Sequence, residues 1–415
     1  MHSAVPGYGS NPLTRLRVAL TVFFALDGFV FAGWVVRIPA IKEQTGASAS
    51  ALGLALLGVS AGGVITMILT GRLCRRYGNH RVTVVCAVLL SLSVALPPLT
   101  RSALALGLVL LLFGAAYGGI NVAFNSAAVE LVAALRRPVM PSFHAAFSLG
   151  GMIGAGLGGL VAGSLSPARH LVLLTVVGLV VTAAAGPTLL RHEPPAPPER
   201  ERTEQRAPRR LDGRTRWLVI VFGVIAGCTA YGEGALADWG ALHLEQDLDA
   251  SPGAAAAGYS CFALAMTVGR LTGTTLLERL GQTRTVVGGG ATAAAGMLLG
   301  SLAPSLWAAL LGYAVTGLGL ANLFPVAVER AGALAGPGGV ATASTLGYGG
   351  MLLGPPAIGF MADWFTLPAA LTSVAALAAV AAAVGALVGA AAGRAAGSRE
   401  QRPRGSAADT PASPG

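Results

Sequence analysis

Charged and amide side chains interrupt several long apolar runs, and these are the residues equipped for chemistry. FFALDGFVFAGW (Phe23–Trp34) carries one carboxylate, Asp27, and YGEGALADW (Tyr231–Trp239) carries two, Glu233 and Asp238. Arg37 follows the first run, Asn121 and Asn125 stand in a third, and Asn322 stands in a fourth. Glu130 and His144 flank a basic pair, Arg136 and Arg137. A carboxylate set among apolar residues can bind and release a proton, or hold a hydroxyl or cation of a solute. Amides and Tyr231 can hydrogen-bond a solute but do not titrate near neutrality. The sequence has no HExxH, no GxSxG and no Walker loop, so hydrolysis and ATP-driven work have no motif to rest on. GAGLGG (Gly154–Gly159) satisfies GxGxxG, but it lies inside an apolar run and the next acid is Glu193; a dinucleotide site needs a preceding strand and an acid about 20 residues on. Cys74, Cys86, Cys228 and Cys261 form no CxxC and no zinc spacing. They read as isolated apolar residues. No metal, no cofactor and no enzymatic activity are expected.

These residues must be positioned by membrane helices. Of 415 residues, 54% are hydrophobic and 11% charged, against about 25% charged in a soluble domain. The mean hydropathy is +0.68. Apolar runs long enough to span a bilayer fall near 18–38, 49–70, 82–99, 103–127, 143–165 and 171–190, then near 217–242, 253–275, 285–303, 305–328, 339–362 and 366–393. The predicted fold is an all-α polytopic membrane protein of twelve spans. Its divisions are a terminal segment 1–17, a first bundle 18–190, a linker 191–216, a second bundle 217–394 and a polar tail 395–415. The linker is rich in Pro, Arg and Glu and reads as solvated and mostly disordered. No cleavable signal is evident, because the first apolar run is too long for one.

Charge placement orients the chain. With the N-terminus inside, 24 of the 28 basic residues fall on cytoplasmic segments, leaving Arg37, Lys42, Arg101 and Arg169 outside. The positive-inside rule therefore predicts both termini in the cytoplasm of a bacterial plasma or inner membrane. It also accounts for the net charge of +10 without nucleic acid. The halves repeat: RYGNHRVT (Arg76–Thr83) pairs with RLGQTRTV (Arg279–Val286), AAVE ending at Glu130 with VAVE ending at Glu329, SLGGM (Ser148–Met152) with GYGGM (Gly347–Met351), and Trp34 with Trp239. Six plus six spans in a parallel repeat, with the site near the midplane, is the plan of major facilitator transporters.

The chain resembles that superfamily in its motifs. GRLCRRYGNHR (Gly71–Arg81) is similar to the superfamily's signature loop at Gly71, Leu73, Arg76, Gly78 and Arg81, with Arg75 where the family has an Asp that locks the inner gate. A narrower likeness, to the YbjJ-like proteins near the fucose-permease group, rests on WVVRIPAIKE (Trp34–Glu43), NSAAVE (Asn125–Glu130), MPSFHAAFSLG (Met140–Gly150), YGEGALADW, MTVGRLTG (Met266–Gly273), GLGLANLFP (Gly317–Pro325) and GYGGMLLGPP (Gly347–Pro356). This resemblance implies a proton-coupling acid on span 1, at Asp27. It implies a second acid on span 4, where this sequence has Asn121.

Depth estimates assign roles. Asp27 lies about 13 Å into a core of about 30 Å, where a charge costs about 2.5–3.5 kcal/mol on the insertion scale. It is either a proton site or an acid bonded to a neighbouring helix. Glu233 lies about 24 Å along span 7 and Asp238 about 31 Å, near the outer mouth. Glu233 has no sequence neighbour of opposite sign and is either a solute or proton site or a structural acceptor. Arg37 lies about 28 Å along span 1, so Arg37 and Asp238 are expected to pair across the outer gate, flanked by Trp34 and Trp239. Glu130 is expected in an inner ion-pair network with Arg136 and Arg137, and His144 at an inner helix start. Asn121, Asn125, Asn322 and Tyr231 are expected on cavity walls. Gly150, Gly154 and Gly158 form a small-residue stripe for packing. The predicted function is secondary transport of a small polar solute, sugar-like or an organic metabolite, with protons as the coupled partner and a monomer as the working unit. The alternative is proton-driven efflux of a drug or secondary metabolite.

Overall fold

The computed structural model describes residues 12–135, 139–192 and 212–400. Its helices, in chain order, are α1 (Pro12–Val35), α2 (Ile38–Thr45), α3 (Ala49–Tyr77), α4 (Asn79–Ser93), α5 (Ala103–Leu135), α6 (Met140–Ala162), α7 (Pro167–Arg191), α8 (Gly213–Asp247), α9 (Pro252–Leu302), α10 (Leu306–Leu320), α11 (Leu323–Trp364) and α12 (Leu367–Glu400). Eleven stretches among the described residues are long and apolar enough to cross a membrane. The span expected over 339–362 is the second half of α11. The linker centre, the first eleven residues, the tail beyond 400, and the expected Glu130 partners Arg136 and Arg137 lie outside the described residues.

Polar caps and glycines set the helix ends. Ser48, Ser166, Asp212 and Ser251 each accept a hydrogen bond from a backbone N–H of the first turn that follows, satisfying donors that an apolar helix start leaves open. α3 gives way to α4 at Gly78, whose φ of 86° favours a residue without Cβ, and the two spans inside α9 are joined at Gly281 with φ 75°. The internal repeat is thereby visible in three dimensions. One residue past Gly78, Asn79 donates to Glu130 Oε1 at 2.8 Å. One residue past Gly281, Gln282 donates to Glu329 Oε1 at 3.2 Å. The same turn thus ties the same pair of spans in each half.

Two departures from the expected spans matter for the site. The first span ends at Val35 rather than at residue 38, and the short helix α2 follows, with Pro39 in its first turn and Gly46 (φ 62°) closing it. The tenth span is broken at Ala321–Asn322, between α10 and α11.

The interior of the first bundle is aromatic. Phe24 packs on Phe124 with centroids 3.8 Å apart and on Phe143 at 5.3 Å. The glycine stripe of α6 lies against α1: Gly150 faces the backbone of Ala25, and Gly154 that of Phe29. In the second half Gly350 of α11 faces Gly227 of α8 in the equivalent place. These stripes are contacts within a bundle, where small residues let helix backbones approach closely.

One end of the molecule carries Pro12, Arg191 and Gly213, and is called here the linker end; the other carries α2 and is called the far end. The close approaches between bundles lie in the far half. Gly53 of α3 faces Pro355 and Pro356, Gly359 of α11 faces Ala49 and Ser50, and Gly159 of α6 faces Gly253 and Ala256 of α9. Ala32, Val36, Ala155 and Ala256 form a small buried cluster across the same seam, with Tyr259 packed against it.

Candidate substrate and proton site

Asp27 sits on α1 at zero exposure, and neither carboxylate oxygen has a hydrogen-bonding partner. Asn121 and Tyr117, both on α5, are the polar groups whose interactions reach it. Asn125 donates to Asn121 Oδ1 at 3.1 Å and to its carbonyl at 2.7 Å. With its oxygen already accepting, the Asn121 amide turns its donor side to Asp27. The two asparagines thus act in series, one orienting the other. Tyr117 stacks on Phe31 at 5.1 Å, and Tyr259, Tyr348 and Glu233 of the second bundle lie within electrostatic reach of it.

Glu233 has a cation that its sequence neighbourhood does not reveal. Arg270 of α9 approaches both oxygens, at 3.1 and 3.3 Å. The Glu233 side chain is 27% exposed and that of Arg270 36%. The charge pattern assigns Arg270 to a cytoplasmic segment; 18 residues past Pro252 on α9, it lies within an apolar stretch long enough to span, beside Glu233. His144 of α6 is exposed, sits edge-on to Phe24 at 5.6 Å and senses the Arg270 charge from the opposite bundle. Across the seam, Glu233, Tyr259 and Tyr348 lie within electrostatic reach of Tyr117, and Arg270 within reach of His144. Tyr117 and Tyr259 lie in no motif that the sequence sets apart, whereas Arg270 and Tyr348 lie in two, MTVGRLTG and GYGGMLLGPP, neither of which marks them as site residues.

Other expected residues take different positions. Arg37 does not pair with Asp238. It is 2% exposed and donates from Nε to His170 Nδ1 at 2.8 Å and from its terminal nitrogens to the carbonyls of Ala162 and Val161 at 3.2 and 3.3 Å. All of its donors go to α6 and α7 of its own bundle. The acid of the second bundle that its charge reaches is Glu245, nearly two turns beyond Asp238 on α8. Trp34 and Trp239 are both buried, Trp34 beside Phe113 and Trp239 with its indole N–H unpartnered. Tyr231 bonds Ser373 of α12 at 2.9 Å, inside its own bundle. Asn322 is buried and donates to the Gly269 carbonyl at 2.9 Å. It pins the α10–α11 break onto α9 one residue before Arg270, so it supports the site rather than lining a cavity. At the linker end Gly71 stands one turn before Arg75, Arg76 lies over the Tyr77 ring at 5.3 Å, and Arg75, Arg76 and Arg81 are exposed.

Two helical bundles, related by an internal repeat and meeting at a polar seam, define a multi-pass membrane transporter of the secondary-carrier type. Residues 18–239 and 222–413 each match the Major Facilitator Superfamily, and the chain belongs to it. It is 34% identical to an uncharacterized MFS-type transporter of Yersinia pestis over 90% of this chain and 94% of that protein. It is 29% identical to the membrane protein MosC of Rhizobium meliloti over 90% of each. The fold resembles a bacterial homolog of the human lysosomal transporter Spinster, inward-facing and unoccupied, with TM-score 0.74 and 15% identity over 91% of this chain and 97% of that one. It also resembles the nucleoside transporter NupG, with TM-score 0.67 and 15% identity over 89% and 98%.

Proposed function

We propose that the protein is a proton-coupled carrier of a small polar solute, sugar-like or an organic metabolite, working by alternating access. The carrying observation is Asp27, an acid enclosed in the membrane layer at zero exposure, with the Asn121 amide beside it and no cation paired to it among the described residues. Its ionised form, buried without a cation, costs several kcal/mol, and a proton removes that cost. Asn121, held by Asn125, would take up the carboxylate when the proton leaves. Glu233 and Arg270 supply a partly exposed dipole with Tyr259 and Tyr117 in its electrostatic reach, which suits hydroxyl, amine or carboxylate groups of a polar solute better than a hydrophobic drug.

In this reading the linker end is cytoplasmic, as the basic residues suggest, and the far-half seam closes the outer side, so the state is inward-facing. The units that rock are 18–190 and 217–394, joined by 191–216. The likeness of the matched motifs to the YbjJ-like branch near the fucose-permease group fits such a carrier, with Asn121 in place of a second acid leaving Asp27 as the single proton site on the first bundle.

Purified protein in vesicles loaded with a pH-sensitive dye tests this. Addition of successive polar solutes is expected to reveal one that moves protons across the membrane together with itself. A solute carried at a rate indifferent to the pH gradient would refute proton coupling.

A further inference from the structure

The lipid-facing side of the first bundle holds a crevice unrelated to the central seam. It runs between α3, α4 and α5 with a volume of about 770 Å³. Its walls are almost wholly apolar, and Val85, Leu89, Leu92 and Leu112 are about half exposed there. At the linker end it meets a second hollow of about 300 Å³, and the two share Tyr77 and Arg81. The second hollow is lined by Arg81, Arg191, His80 and His192, with no acid among its lining residues. Arg81 and Arg191 are exposed, and neither has a hydrogen-bonding or ion-pair partner among the described residues. His80 is 5% exposed and donates from Nδ1 to the Leu189 carbonyl at 2.9 Å, locking the start of α4 to the end of α7 and fixing the floor of the hollow. His192 donates from Nδ1 to Thr188 O at 2.7 Å.

We infer that this composite crevice binds one anionic phospholipid, with the phosphate at Arg81 and Arg191 and an acyl chain between α3, α4 and α5. Length agrees. From Arg81 to Leu96 the wall rises about 22 Å, enough for the roughly 15 Å of hydrocarbon in one leaflet. Charge agrees too, because two guanidiniums at a helix end, without an acid partner among the described residues, attract a phosphate and its bidentate acceptors. A neutral detergent would fill the apolar part and leave both arginines uncompensated, and a zwitterionic lipid would bring its own headgroup cation to compete with them for its phosphate.

The test uses full-length protein, delipidated in detergent, with dioleoyl-phosphatidylglycerol or dioleoyl-phosphatidylcholine added and bound lipid counted by native mass spectrometry. The wild type is expected to retain one phosphatidylglycerol at least tenfold more tightly than phosphatidylcholine. Arg81→Ala with Arg191→Ala should abolish that preference. Arg75→Ala with Arg76→Ala, which removes equal charge from the same end outside both hollows, should preserve it. Leu89→Trp, filling the crevice from its exposed side, should release the lipid with the arginines intact, and inorganic phosphate at millimolar level should not displace it. Arg191→Gln alone, at an exposed helix end, serves if the double variant fails to fold and should weaken retention about fivefold. Equal retention of the two lipids, loss on Arg75 and Arg76 removal, indifference to Leu89→Trp, or displacement by phosphate would each overturn the proposal.

Discussion

Asp363, the carboxylate near the end of α11, caps α3 of the opposite bundle: Oδ2 accepts from the Ser50 N–H at 2.9 Å and Oδ1 from the Ala49 N–H at 3.1 Å. A helix N-terminus presents open donors and a positive dipole end, so an acid from the other bundle fastens the seam beside the approach of Gly359 to Ala49. The hydrogen bonds from Ser50, with those from Ala49, hold Asp363 below the ordinary Asp value of 3.8. Because its pKa is depressed, the cap is complete above 3.8 and is lost as pH falls through the lowered value. Asp363→Asn is expected to loosen the far end. Spin labels at Glu43 and Thr366 should then show an added, longer distance population, and an unchanged distribution would contradict a locking role.

The Glu233–Arg270 pair is partly exposed, so it contributes little to stability and its work lies in recognition. Glu233→Gln and Arg270→Gln should each weaken solute binding at least tenfold, about 1.4 kcal/mol, while melting temperature in detergent stays within a few degrees. The exchanged variant, Glu233→Arg with Arg270→Glu, should regain part of the binding that either reversal alone removes. Isothermal titration with the transported solute measures both.

Arg37 predicts the opposite pattern. Its removal leaves His170 Nδ1 and two backbone carbonyls without their donor, and hydrogen bonds to a charged group are worth about 1.5–3 kcal/mol each. Arg37→Ala should therefore lower thermal stability clearly. Exchange of charges between Arg37 and Asp238 should rescue nothing, since the two are not partners. Recovery of stability in that exchange variant would show that they are.

A bulky residue at Gly159 tests the seam itself. A Cβ there would stand 2.8 Å from Ala256 Cβ and 3.2 Å from the Gly253 carbonyl. Gly159→Val should fold, because it adds volume at the bundle surface, yet shift the protein toward a state open at the far end. Labelling of a cysteine placed at Ser260 by a membrane-impermeant thiol reagent should rise several-fold.

The fold was legible because lipid imposes one rule, that every backbone group be satisfied inside its own helix, and the sequence obeys it in long apolar runs. The repeat was legible for a related reason: Gly78–Asn79 and Gly281–Gln282 must each turn the chain at the same place and tie back to equivalent glutamates, Glu130 and Glu329. The site was legible in part. Asp27 stands out because no apolar contact explains a carboxylate there. Arg270 did not stand out, since a guanidinium near a span end reads as a loop charge, and only the register of α8 against α9 brings it to Glu233, 37 residues away. Arg37 misled for the converse reason. Distance along the chain does not say which way a side chain points, and the turn between α1 and α2 sends Arg37 to His170. Asn322 likewise shows an amide that packs when composition alone suggests it binds.

The account depends on Asp27 exchanging a proton. Asp27→Asn keeps the shape and removes the titration. With the transported solute in proteoliposomes, the variant is predicted to retain solute exchange at equal concentrations on both sides, within about threefold of wild type. Under an imposed pH gradient it is predicted to lose uphill accumulation entirely. Accumulation by Asp27→Asn at the wild-type level would contradict the central claim.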